Sequence, residues 1–402
     1  MCQPTASDLC EELAHLNPAD PDYAARSVDV VLAAARKAGV SDVHFQPAKN
    51  GLELKYRVDG VLTPVSVFPA QLAANIIARL KVLSGLLTYH TDRPQEGRIR
   101  LPQDDVEMRV CTFPTLHGER MVVRLFGGMQ RYQRLDDIGL PDDVLQPLRR
   151  LLSETSGAIL ISGPAGSGKT TTVYACLREI ARQGGGARSL VSIEDPIEVA
   201  VDGVAQSQVH LPAGLDLANG LRFLMRQDPE VIMVGEIRDR ATADTAFQAS
   251  LTGHLLLSTF HAGSAAETVG RLLDMGIEPY VLRSGLLAIL NQRLLRRLCS
   301  CAAPADDPDS RLGLDVKRVM APQGCNKCGG TGYRGRFLLV EMLTLSRSEL
   351  TRAILAHSET SIIERLAIEA GMSSRWQRAC CAVDEGLTSP AEVRRVLGFS
   401  GS

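Results

Sequence analysis

Residues 157–172 read GAILISGPAGSGKTTT, and this stretch limits the folds open to the chain more than any other. Ala158–Ile161 is an apolar run with the length of a buried strand. The next eight residues, Gly163-Pro164-Ala165-Gly166-Ser167-Gly168-Lys169-Thr170, fill every fixed position of the phosphate-loop pattern. A helix-compatible segment, Thr171–Arg182, follows. Glycines at these positions let backbone N–H groups turn toward phosphate oxygens, and the helix N-terminus adds partial positive charge. Lys169 is expected to reach the β- and γ-phosphates of ATP. The Thr170 hydroxyl is expected to ligate Mg²⁺, with Thr171 beside it. A bare glycine turn would not need the lysine and the hydroxyl as well.

The strand and helix signals around this loop alternate. Leu190–Glu194, Val231–Gly235 and Leu255–Phe260 read as strands with helices between them, and Asp143–Ser153 reads as a helix leading into the first strand. Such alternation implies an α/β domain with a mostly parallel sheet, helices on both faces, and ligands beyond the carboxyl ends of the strands. Ahead of it, residues 27–127 pattern as a smaller α+β domain. Ser27–Ala38 and Leu72–Ser84 are helical, and Val43–Gln46, Leu52–Val58, Val61–Val67, Gly97–Leu101, Val106–Cys111 and Met121–Phe126 are strands. Asp59-Gly60 between two alternating runs signals a hairpin. Residues 1–26 read as an N-terminal extension with a helix near Asp8–Leu16, and 128–141 as the linker to an ATP-binding domain over 142–402.

Two strand ends carry carboxylates. Glu236 follows the apolar VIMVG run, as in a Walker-B strand, and is expected to act on Mg²⁺ through water or on the attacking water. Glu194 ends the SIEDPIE stretch and is the first candidate for positioning that water. His254 and His261 bracket the strand LLLSTF, and His261 is the candidate sensor of the γ-phosphate. Cys299-Ser300-Cys301 and Cys325-Asn326-Lys327-Cys328 form two thiol pairs, suited to tetrahedral Zn²⁺, within a metal subdomain over 296–336. The first pair is one residue tighter than the common spacing.

Composition narrows the classes further. The 402 residues are 45% hydrophobic and 22% charged, with net charge −2 and ten cysteines. No run has the length and apolarity of a membrane span, and the first residues lack the basic and apolar regions of a secretory signal. The thiols are therefore expected to be reduced or metal-bound in the cytoplasm. Aromatics make up 4%, with no basic patch that interleaves them, so direct nucleic-acid binding is not expected.

On these residues the chain resembles the ATPases that drive type II secretion and type IV pilus assembly, from about residue 27 to the end. LISGPAGSGKTTTVY is similar to the family's Walker A and IEDPIE to its aspartate box. LRFLMRQDPEVIMVGEIRDRATADTAFQASLTGHLLLSTFHA resembles its Walker B and histidine boxes. NQRLLRRLC and GCNKCGGTGYRGR resemble its tetracysteine region. SDVHFQP, YRVDGVL, PQEGRI and RVCTFPTLHGERMVVRL resemble its PAS-like second N-domain. The resemblance implies a RecA-like domain with a zinc-binding subdomain, arranged as a homo-hexameric ring. It also implies that N-domain arginines approach the phosphates, here Arg98 and Arg109, with Arg124 a further candidate. It implies an inner-membrane platform protein and pilin-assembly machinery as partners. The protein would then sit at the inner face of the cytoplasmic membrane, held there only by those partners. Residues 1–26 are read as a short extension and not as the further docking domain of many members. Three other readings are a retraction motor, whose relatives share this core without the cysteine module, a non-hydrolysing nucleotide-binding scaffold, and a nucleic-acid translocase.

Overall fold

The computed structural model describes residues 6–100, 107–125, 132–305, 307–345 and 348–399. The chain divides into two compact units. The first is Met1–Gln130 with Leu298–Ala303 and Pro322–Gly335; the second is Arg131–Arg297, Pro304–Ala321 and Arg336–Ser402. Both cysteine-bearing segments group with the first unit.

The first unit begins with helices α1 (Ala6–Ala14) and α2 (Tyr23–Lys37), then strands β1 (Asp42–Ala48), β2 (Gly51–Val58) and β3 (Val61–Phe68). Helix α3 (Ala70–Leu83) precedes β4 (Gln95–Arg100), β5 (Glu107–Thr115) and β6 (Gly118–Leu125). They form one sheet in the order β3-β2-β1-β6-β5-β4 with antiparallel neighbours. Period-two alternation sends Val43, Phe45, Leu52, Leu54, Met121 and Val123 to one face, where Val31 and Leu32 of α2 and Ile76 and Leu80 of α3 bury them. Leu9 and Leu13 of α1 join this core, so the N-terminal stretch packs into the domain. Asp59 (φ 48°) and Gly60 (φ 83°) both turn left-handed, which closes the β2–β3 hairpin and pairs Val58 with Val61.

The rest of the chain runs α4 (Asp142–Leu151), β7 (Gly157–Ser162), α5 (Lys169–Gln183), β8 (Leu190–Glu194), β9 (Ala205–Gln208), α6 (Leu217–Leu224), β10 (Val231–Val234), α7 (Arg240–Leu251), β11 (Leu255–Phe260), α8 (Ala265–Asp274) and α9 (Pro279–Gly285). Then come β12 (Leu286–Leu298), β13 (Ala303–Pro304), β14 (Met320–Ala321), β15 (Tyr333–Thr344), α10 (Ser348–Leu355), α11 (Thr360–Glu369), α12 (Arg375–Asp384) and α13 (Pro390–Leu397). The main sheet has the order β15-β12-β7-β11-β10-β8-β9, and its strands are parallel from β12 through β9. Every residue of β7, β8, β10 and β11 is buried, as expected where helices cover both faces. β9 and β12 are not among the expected strands. Of the expected linker, residues 128–131 lie outside the described residues. Its later part forms a short 3-10 turn, Leu135–Ile138, that buries Leu135.

Candidate active site

β7 and α5 bring the phosphate loop to the carboxyl edge of the parallel sheet. Gly163 (φ 145°), Gly166 (φ 74°) and Gly168 (φ 90°) adopt backbone conformations closed to most residues. At Gly163 a Cβ would also lie 2.5 Å from the Gln292 carbonyl oxygen and 2.6 Å from Ser167 Oγ. Gly168 caps α5 in the left-handed conformation, so Lys169 opens a helix of 15 residues. Pro164, Ala165 and Gly166 are exposed, and Thr170 and Thr171 are half-buried in the first helical turn. Lys169 is buried and donates to the carbonyls of Gly163 and Pro164, both at 3.0 Å. Burial lowers its pKa, Glu236 acts the other way, and Arg293 adds to the lowering. Ser167 is buried with an Oγ that has no hydrogen-bond partner among the described residues. A glycine-shaped cradle, a helix N-terminus, a lysine and an unsatisfied hydroxyl together fit the phosphates of a nucleotide.

The two carboxylates stand at the ends of neighbouring strands with different surroundings. Glu194 is almost wholly buried. It accepts hydrogen bonds from the Tyr174 hydroxyl, from Ser192 Oγ at 2.6 Å and from Gln206 Nε2 at 2.9 Å. Glu236 follows β10 and is partly open. Its Oε1 lies 2.7 Å from His261 Nε2, and its Oε2 accepts from Arg238 Nε at 2.6 Å. The register of β10 and β11 explains the meeting: Val234 pairs with Ser258, and Ile237 N–H donates to the Thr259 carbonyl at 3.0 Å. His261 leaves β11 on the same edge as Glu236. His254 precedes β11 at its amino end, bonded to the Ala249 carbonyl at 3.0 Å. Six strand residues, about 20 Å, separate the two histidines' positions, which removes His254 from the phosphate edge.

In the first unit, cross-strand register lines up Arg57, Asp42, Arg124, Arg109 and Arg98 directly opposite one another across β2, β1, β6, β5 and β4. Asp42 binds Arg124 at 2.9 Å and Arg57 at 3.5 Å. Arg109 and Arg98 continue the row beyond Arg124 on β5 and β4.

Cys299, Cys301, Cys325 and Cys328 converge with all sulfurs within 4.8 Å. Three of the contacts measure 3.8, 3.9 and 3.8 Å. Tetrahedral thiolates at about 2.3 Å from a metal stand about 3.8 Å apart, so the set fits a four-coordinate ion. The tighter Cys299–Cys301 spacing does not prevent the convergence. Burial opposes the Cys328 thiolate, but the amides of Cys325 and Gly332 donate to its sulfur at 3.1 and 3.2 Å and bring its pKa down to about 6.

Several residues at the site escaped the sequence reading. Tyr174 and Gln206 bind Glu194, Arg238 binds Glu236, Asn291 and Arg293 of β12 bind the turn after His261, and Gln292 binds Thr172 of α5. Tyr174, Arg238 and Asn291–Arg293 lie inside the stretches whose resemblance is noted above, whereas Gln206 carries no sequence signal.

A family described as type II/IV secretion system protein matches residues 18–395. The type IV pilus assembly ATPase PilB of Thermus thermophilus is 36% identical over 385 residues, covering 93% of this chain and 43% of the relative. The type II secretion system ATPase E of Vibrio cholerae is 40% identical over 378 residues, covering 92% of this chain and 74% of the relative. The chain thus spans less than half the length of the Thermus relative. Among solved structures, the ATPase DotB of Yersinia pseudotuberculosis superposes with a TM-score of 0.68 at 21% identity, over 95% of each chain. The pilus retraction motor PilT with ADP gives 0.60 at 22% identity, over 91% of this chain and 95% of that one, and both likenesses speak to fold. No helix among the described residues is long and apolar enough to cross a membrane.

Proposed function

The chain belongs to the type II/IV secretion system protein family, and on that premise we propose that it is an ATP-hydrolysing motor of the assembly type. The observation that carries the reading is the Glu236–His261 pair, at 2.7 Å, on the same sheet edge as the Lys169 loop. Loop amides hold the phosphates. Lys169 would exchange its carbonyl partners for phosphate oxygens, and Thr170 would help hold a Mg²⁺ ion, which would supply positive charge at the phosphates. Glu236 orients a water whose oxygen bonds to the γ-phosphorus as the bridging bond to ADP breaks, and it accepts the water's proton. His261 faces the γ-phosphate. The three hydrogen bonds on Glu194 favour a supporting role, fixing the end of β8 and the Tyr174 side of α5 against that water.

Phosphoryl transfer also calls for an arginine. Arg98 and Arg109, with Arg124 beside them in the row, are the groups we assign to it. Hydrolysis would then depend on the first unit as well as the second. Cys299, Cys301, Cys325 and Cys328 would hold Zn²⁺ as a structural ion. The finer reading is a homo-hexameric ring that works on an inner-membrane platform protein and pilin-like subunits from the cytoplasmic side. The four-cysteine cluster favours assembly over retraction.

The test is the steady-state ATPase rate of the full chain. The double variant Arg98→Ala/Arg109→Ala should lose roughly two or more powers of ten while still binding ATP. Duplex DNA should not stimulate the wild type. Full activity in the double variant would reduce the first unit to a docking module, and strong stimulation by DNA would favour a translocase.

A further inference from the structure

We infer that Asn291 and Arg293 are positioning residues for the ATPase reaction, acting through the turn that carries His261. The inference rests on the reading that ATP is hydrolysed at the Lys169 loop.

The turn 261–265 is held almost entirely by side chains. The His261 carbonyl accepts from Arg271 Nη1. The Ala262 carbonyl accepts from Asn291 Nδ2 at 3.1 Å. The Gly263 carbonyl accepts from Arg293 Nη2 at 2.7 Å, and its N–H donates to Glu267 Oε2 at 2.6 Å. Ala265 N–H donates to the buried Glu341 at 2.8 Å. Glu267 and Arg271 belong to α8, which follows the turn directly, so they tie it to its own helix. Asn291 and Arg293 come from another strand and tie it to the sheet.

Asn291 has the more telling position. It is 2% exposed, and the same Nδ2 also donates to Ser162 Oγ at 3.0 Å. Ser162 is the last residue of β7, immediately before Gly163, and register places it beside Asn291. One amide therefore spans the start of the phosphate loop and the residue after His261. The next residue, Gln292, donates to Thr172 Oγ1 at 3.0 Å in the first turns of α5. Three consecutive residues of β12 thus hold the phosphate strand, the lysine helix and the histidine turn. A buried polar side chain with both amide hydrogens engaged restricts those parts to one arrangement, and a slip of about 1 Å at a reacting group can cost about a hundredfold in rate.

The experiment is a double-mutant cycle on the full-length chain, with thermal melts run beside it. Wild type, Asn291→Leu, His261→Ala and the double variant are assayed across ATP concentrations with Mg²⁺. Asn291→Leu should lower kcat roughly 10- to 100-fold with KM changed less than about twofold. In the His261→Ala background the same change should cost less than about twofold more, because the two act as a unit. Arg293→Lys, which can still reach the Gly263 carbonyl, should retain more activity than Arg293→Gln. If Asn291→Leu does not fold, Asn291→Ser takes its place, since the shorter side chain cannot span both partners. Additive losses, or a raised KM at unchanged kcat, would overturn the positioning role alone. A wild type without Lys169-dependent turnover would overturn the ATPase reading and this inference with it.

Discussion

Glu194 and Glu236 end adjacent parallel strands at the same edge of one sheet, yet the chain treats them differently. Glu194 is sealed from solvent, and both its oxygens are occupied by Tyr174, Ser192 and Gln206. Glu236 keeps some exposure and meets His261 and Arg238, side chains that are themselves exposed. A carboxylate whose hydrogen-bond sites are filled by fixed neighbours has little left for a water or a metal. One whose partners can move has both. Residue type and strand position set the candidates, and on the function proposed above hydrogen-bond occupancy would divide the labour between them.

The sharpest way to break this comparison is to neutralise each carboxylate in turn. Glu236→Gln should keep ATP binding and lose roughly two to three powers of ten in turnover, the range for removing one group that acts in the transition state. Equilibrium binding of a fluorescent ATP analogue and steady-state phosphate release read the two effects. Near-normal turnover would take the water from Glu236. Glu194→Gln should also bind ATP, with a smaller fall in turnover and a stability loss of about 1.5–3 kcal/mol, as expected when charge-assisted hydrogen bonds are weakened. Tyr174→Phe should give the same pattern more weakly. Denaturant melts alongside the assay check both. If Glu194→Gln abolishes turnover without any loss of stability, the assignments should be exchanged.

The cysteine cluster is a control for the comparison, because the structure groups it with the first unit. Metal analysis of the purified chain should find one Zn²⁺ per chain. Cys325→Ser/Cys328→Ser should release it and loosen that region locally, with little change in KM for ATP at the Lys169 loop. A zinc-free protein with four freely titrating thiols would remove the metal site.

Much of this site is legible in the chain itself. The β7–loop–α5 unit follows from an apolar run, fixed glycines and a lysine, all local in sequence. The six strands of the first sheet follow from alternation, and Asp59-Gly60 from turn chemistry. What was hidden depends on register and on distant pairing. Leu286–Leu298 reads LLAILNQRLLRRL, an apolar and basic run whose periodicity does not separate strand from helix. Its pairing with β7 reveals Asn291 as a link between Ser162 and Ala262. The arginine row is likewise invisible in sequence, since Arg57, Arg98, Arg109 and Arg124 become neighbours only through the ladder. His254 and His261 flank the same strand, and the sequence favours His261 as the sensor. Chain direction in a parallel sheet separates them.

The central claim is that this chain hydrolyses ATP at the loop closed by Lys169. It is tested most directly by phosphate release from the wild type and from Lys169→Ala, side by side at saturating ATP and Mg²⁺, with nucleotide affinity measured on both. The account predicts steady turnover in the wild type, none above background in the variant, and weakened nucleotide binding in the variant. Turnover by Lys169→Ala at near the wild-type rate, or a wild type that binds ATP and never releases phosphate, would contradict it.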